Sequence, residues 1–137
     1  MSEELARYKA FIDALVAMKE SIGARRLRTN WRASLRTPDE MAREQRRDTS
    51  GATEAIQQGF QRYNAFVESL TPEQREFVAD LLQHERESGI HGVLVALTDG
   101  GYQLSQNGVQ LATEPFGTES YFDFVARATG DAWPDER

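Results

Sequence analysis

Apolar and polar residues recur with a helical period along most of the chain. Residues 3 to 22 place Leu5, Tyr8, Phe11, Ile12, Leu15 and Val16 at spacings of three and four, with Ile22 one turn further on. That is the apolar stripe of an amphipathic helix, and Gly23 reads as its stop. Ile56, Phe60, Tyr63, Phe66, Val67 and Leu70 mark a second stripe to about residue 69, and Phe77, Val78, Leu81 and Leu82 a third. Thr71-Pro72-Glu73-Gln74 between them is a helix start: a hydroxyl cap, proline at the first helical position, and Gln74 placed to reciprocate. Thr37-Pro38-Asp39-Glu40 repeats the device with Glu40 and opens a short polar helix. The second and third stripes share a connection of two or three residues, which predicts antiparallel packing. A break is expected near Thr49-Ser50-Gly51. Leu27, Trp31 and Leu35 fall at intervals of four among arginines, so residues 24–36 form either a basic amphipathic helix or an irregular segment.

Gly89 reads as a helix C-cap, after which Ile90, Val93, Leu94 and Leu97 predict a short buried helix that Asp99-Gly100-Gly101 ends. The stretch YQLSQNGVQLA is a β-hairpin around Asn107-Gly108, the pair favoured in type I′ turns. In that register Leu104 faces Leu111 and Gln106 faces Val109, so Tyr102, Leu104, Val109 and Leu111 share the face laid on the helices. A Pro-Phe-Gly turn follows, then a helix capped by Ser120, with Asp123 three residues later, running to Gly130. Trp133-Pro134 closes the chain by docking its indole. The expected fold is α+β: a mainly α-helical single domain over residues 1–137, with four to six helices in antiparallel packing and one C-terminal hairpin.

A length of 137 residues suits one domain with one core. The chain has no cysteine, which excludes disulfides, thiolate nucleophiles and cysteine-based zinc sites. The first helix mixes charges into its apolar positions, unlike a leader, and no apolar run reaches membrane-spanning length, so a cytoplasmic protein is expected. Residues 25 to 47 carry eight arginines against Asp39, Glu40 and Glu44, whereas residues 48 to 137 carry 5 basic and 15 acidic side chains. The acidic remainder disfavours nucleic acid, and a membrane partner is not expected.

Three groups of residues could carry chemistry. On one continuous helix His84, Glu87 and His91 lie within about 60° of one another around the axis, as a metal set would require. A cap at Gly89 would separate them, and no metal or other cofactor is expected. The second group is Glu114, Glu119, Tyr121, Asp123 and Arg127, which would surround a ligand between the hairpin and the last helix. In the simpler account Asp123 and Arg127 form an i, i+4 ion pair. The third group is Arg25, Arg26, Arg28, Trp31, Arg32 and Arg36, which could bind phosphates or stack on bases. Pairing with the acidic body of the same chain or of a twin subunit fits the charge balance better. No nucleophile with an adjacent base and no phosphate loop is visible. The chain therefore reads as a non-catalytic binding or interaction module, a homodimer joined partly through residues 24–48. An enzyme or ligand-binding protein is the alternative and nucleic-acid binding through the arginine-rich segment, residues 24–50, the third reading.

The stretches GIHGVLVALTD and NGVQLATEPFGTESYFDFVARATGDAWPDE resemble a small family of uncharacterised bacterial proteins with the pattern GIHxVLxxL, NGVxL and EPFGTExYYDxVxRxxGDxWP. Gly89, Ile90, His91, Asn107, Gly108, Glu114 through Glu119, Asp123, Arg127, Gly130, Asp131, Trp133 and Pro134 carry the resemblance, over roughly the C-terminal half. Phe122 stands where the pattern has a second tyrosine, which removes one hydroxyl. The resemblance implies a fold and a bacterial origin but no activity.

Overall fold

The computed structural model describes residues 1–48 and 50–137. Helices α1 (Glu3–Ala17), α2 (Ile22–Arg28), α3 (Pro38–Gln45), α4 (Ala52–Ser69) and α5 (Pro72–Asp99) lead into strands β1 (Ser105–Gln106) and β2 (Val109–Gln110). Helix α6 (Ser120–Ala128) and a 3₁₀ turn at Pro134–Glu136 follow. The fold is α+β and mainly helical, with one antiparallel hairpin near the C-terminus. Instead of the one core expected, the buried residues form two clusters. Met1–Ser21 with Leu82–Arg137 make one compact unit, here the terminal unit, and Ile22–Leu81 make a second, the inserted unit.

In the terminal unit the α1 stripe buries Tyr8 and Ile12 with Leu94, Leu111, Phe124 and Trp133. Trp133 docks as expected. The hairpin has the expected register: Gln106 lies opposite Val109, and the Leu111 N–H donates to the Leu104 carbonyl at 2.8 Å. Asn107 at φ 50° and Gly108 at φ 79° supply the two positive torsions of a type I′ turn. Arg7 donates to the Gln106 carbonyl at 2.8 Å and straps the hairpin to α1. Leu104, Val109 and Leu111 turn inward, but Tyr102 is 69% exposed. Its ring instead covers Gly100, where a Cβ would meet it at 2.5 Å.

In the inserted unit Ala24, Leu27, Val67 and Ala79 form the core, which joins α2, α4 and the first part of α5. Both capping boxes form: Glu40 N–H donates to Thr37 Oγ1 while Thr37 N–H donates to Glu40, and Thr71 and Gln74 do the same. Of the break expected at Thr49-Ser50-Gly51, Thr49 lies outside the described residues. Asp48 accepts from the Ser50 hydroxyl and from the Thr53 and Ser50 N–H groups at the start of α4, which holds its carboxyl well below the usual range. The segment at 24–36 takes both expected forms, helix to Arg28 and then irregular chain. Two side-chain amides of α4 grip the irregular part. Asn64 accepts from the Ala33 N–H and donates to the Ala33 carbonyl, both at 2.9 Å, and Gln57 does the same to Arg36 at 3.1 Å. Seven residues of helix rise about 10.5 Å and three of extended chain about 10 Å, so the spacings match.

Three boundaries differ from expectation. Helix α1 ends at Ala17, and Gly23 lies inside α2. Gln83 makes the early turn tenable, because its side chain accepts from the Ser21 N–H and donates to the Lys19 carbonyl. Helix α5 passes through Gly89 without a break, and Gly89 is not among the left-handed glycines. A helical glycine costs about 1 kcal/mol relative to alanine, which burial of Leu94 and half-burial of Ile90 outweigh. Glu119, not Ser120, is the N-cap of α6, and Ser120 is its first helical residue.

Candidate functional site

The polar residues of the C-terminal signature meet α1 in the terminal unit. Buried Asp123 accepts from the Tyr8 hydroxyl at 2.5 Å on one oxygen and from Thr118 at 2.7 Å on the other. Burial, and then the bond to Asp123, push the Tyr8 phenol far above its ordinary pKa of 10.0. One turn along α1, Asp13 accepts from Arg127 at 2.9 Å and from the Trp133 indole N–H at 3.4 Å. The Arg127 guanidinium lies 5.1 Å from the Trp133 ring centroid and donates to the Asp131 carbonyl at 2.6 Å. Lys9 pairs with Asp135 at 2.6 Å and Glu136 at 3.0 Å. Tyr8, Lys9 and Asp13 thus take up the chain end, and Asp123 and Arg127 each bond to α1 in place of the expected pair with each other.

Of the five residues expected around one pocket, Glu119, Asp123 and Arg127 line an open cavity of about 630 Å³ along α6. Asp123 and Arg127 are engaged as above. Tyr121 packs edge-on against His91, with ring centroids 5.3 Å apart. Its phenol is pushed up by burial and by the carboxylates of Glu119, Asp99 and Glu114. Glu119 caps α6 through its backbone. Glu114 lines a different cavity, one of about 200 Å³ beside the hairpin, where Tyr102, Gln103, Thr98 and Ser120 join it. Those four were missed because Tyr102 was assigned to the inner face and Ser120 to a cap. The stretch Asp99-Gly100-Gly101-Tyr102 held the signal, an aromatic directly after a glycine pair. An open groove of about 490 Å³ runs between α1 and α5, along Phe11, Leu15, Ile90, Val93 and Leu97, and shares Phe11, Leu97 and Leu104 with the cavity beside the hairpin.

His84, Glu87 and His91 do lie on one continuous helix, yet no group of three metal-ligating residues comes together among the described residues. Angular alignment ignores the rise: seven residues separate the two imidazoles by about 10.5 Å along the axis. Their neighbours are local, with His84 Nε2 3.4 Å from Ser88 Oγ and Glu87 accepting from Gln83 at 2.7 Å. In the arginine segment Arg28 pairs with Glu76 and Asp80, and Arg36 with Glu44. Arg26 lies 4.3 Å from the Trp31 ring centroid, and Arg32 donates to the Asn30 side chain. Arg25 extends from the same helix, α2.

The chain matches a family of unknown function, DUF6547, over residues 1–135. It belongs to that family. The match covers the arginine segment as well as the C-terminal signature. No curated protein and no solved structure matches the chain. No helix among the described residues is long and apolar enough to cross a membrane.

Proposed function

We propose that this family member is a non-catalytic binding module that associates with a second copy of itself through the open groove between α1 and α5. The observation that carries the reading is the uncovered apolar floor of that groove. Val93 is 60% exposed, and Phe11, Leu15, Ile90 and Leu97 are only half-buried around it. Contiguous apolar surface of this kind marks an interaction face on a monomer. Asp123 and Arg127 of the polar signature, by contrast, are engaged in bonds that hold the chain end to α1. The arginine segment is the weaker candidate for the interface, because Arg28 and Arg36 already pair within the chain. Sedimentation velocity over a wide concentration range tests the proposal. Wild type should shift from monomer to dimer, and Val93→Glu, which places a charge in the groove, should stay monomeric. A wild type that is monomeric at every concentration removes self-association.

A further inference from the structure

We propose that the cavity beside the hairpin is a binding site for a small organic cation, a primary ammonium on a short apolar chain. Exposure gives the cavity a floor and a rim. Tyr8 and Leu111 are buried beneath it, whereas Tyr102 and Glu114 are exposed at its edge. Its volume of about 200 Å³ is below the range of roughly 300–1,000 Å³ for drug-sized ligands, so it takes only a small molecule or the end of a side chain.

The rim is pre-set. The Tyr102 ring occupies the space a Cβ at Gly100 would need, 2.5 and 2.7 Å from that position, so the glycine lets a largely exposed aromatic lie against the backbone at the cavity's edge. Glu114 has φ 46°, a left-handed torsion that a non-glycine residue adopts only where the surroundings impose it. It sits in the turn closed by the Gly117 N–H donating to the Glu114 carbonyl at 2.9 Å. Thr98 Oγ1 and Ser120 Oγ lie 3.3 Å apart on the wall and retain spare acceptor capacity. An ammonium here meets a carboxylate, two hydroxyls and an aromatic face, while its chain meets Leu111, Leu97 and Phe11.

The surrounding charge has the right sign. The terminal unit carries 13 acidic and 6 basic side chains, a balance of −7. Among the described residues Asp99, Glu114 and Glu119 have no ion-pair partner, although all three act on Tyr121. The positive end of α6 beside Ser120 favours an anion by itself, but Asp123 in its first turn and Glu119 at its cap offset it.

The site adjoins the groove and shares Phe11, Leu97 and Leu104 with it, but Glu114 and Tyr102 line the cavity alone and Val93 the groove alone, and its test is read on the isotope-labelled wild-type chain by amide NMR. Butylammonium should give saturable shifts centred on the cavity lining, in residues 97–104 and 111–120 and around Phe11, butanol weaker ones and butyrate none. Glu114→Gln should weaken butylammonium at least about ten-fold, as loss of a charge-assisted bond does. Tyr102→Leu should weaken it by a smaller factor while leaving the fold's spectrum intact. A lysine-containing tripeptide with blocked ends distinguishes the sources: tighter binding than butylammonium assigns another chain's lysine, and equal or weaker binding assigns a free amine. No saturable shift up to about 50 mM, where so small a ligand should register, overturns the proposal. So does butanol binding as tightly as butylammonium, or a Glu114→Gln chain that binds like wild type. A negative result here leaves the self-association measured by sedimentation standing, and the reverse also holds.

Discussion

The two units bury polar groups in opposite ways. The terminal unit uses a carboxylate and a phenol, Asp123 and Tyr8, which join residues 115 positions apart. The inserted unit uses neutral amides, Gln57 and Asn64, each closing two bonds on the backbone of a segment that has no strand to pair with. A buried carboxylate specifies its partner strongly and is costly to orphan, whereas an amide supplies the donor and acceptor of a missing ladder without charge. The difference assigns the devices to their tasks: charge and hydroxyl close the chain ends onto α1, and amides substitute for sheet.

Removing one member of each device sharpens the contrast, and each unit holds one of the chain's two tryptophans as a reporter. Asp123→Ala leaves the Tyr8 hydroxyl and Thr118 unpartnered and should cost about 3 kcal/mol, read by denaturant unfolding through Trp133 in a Trp31→Phe background. Gln57→Leu strands the Arg36 N–H and carbonyl and should cost about 2 kcal/mol, read through Trp31 in a Trp133→Phe background. We expect the single-domain reading to hold, with both reporters giving one midpoint in each variant. Separate midpoints would show the units unfolding independently. A loss below about 1 kcal/mol for Asp123→Ala would mean water replaces the carboxylate and the contrast fails.

The second contrast is pH. The folded Tyr8 phenol ionises above its ordinary 10.0, so the unfolded chain loses that proton first. Its contribution is complete below pH 10 and falls as pH rises above it, by at most about 1.4 kcal/mol per unit. Tyr8→Phe should flatten the alkaline limb, with a residual slope from Tyr121, raised by burial, and from Lys9, raised by its bond to Asp135. The amides of the inserted unit do not titrate, so Gln57→Leu should shift the whole curve without changing its slope. A slope unchanged in Tyr8→Phe removes the phenol as its source.

What was legible in the sequence was what neighbouring residues decide. Both Thr-Pro caps, the Asn-Gly hairpin with its register, and the docking of Trp133 follow from side chains acting on backbone within a few positions. Of the cavity beside the hairpin only Glu114 was legible, whereas Glu119, Asp123 and Arg127 line another along α6. Asp123 was recognised, but its partner Tyr8 looked like one more apolar residue of the α1 stripe, and nothing local marks a phenol that will meet a carboxylate. Gln57 and Asn64 stand seven apart on the core-facing side of α4, a polar pair where apolar residues belong. That pair was the available signal for an irregular segment docked on the helix. His84 and His91 share one helix, contrary to the cap expected at Gly89, and the rise between them rather than a break keeps them apart.

Gly89 is where local signal and tertiary packing disagree most openly, and its variant has opposite signs under the two accounts. As a C-cap it would need a left-handed torsion, and alanine there would strain the backbone and destabilise. In the structure it is an exposed interior residue of α5 with nothing within 4 Å of the position a Cβ would take. Gly89→Ala should therefore stabilise the chain by about 0.5–1 kcal/mol through helix propensity and lost freedom in the unfolded state. Thermal unfolding decides the sign. Because Gly89 also lines the groove beside Val93, the same methyl should weaken self-association as it stabilises the monomer. A stabilised chain that dimerises as wild type would keep the helix and move the interface elsewhere.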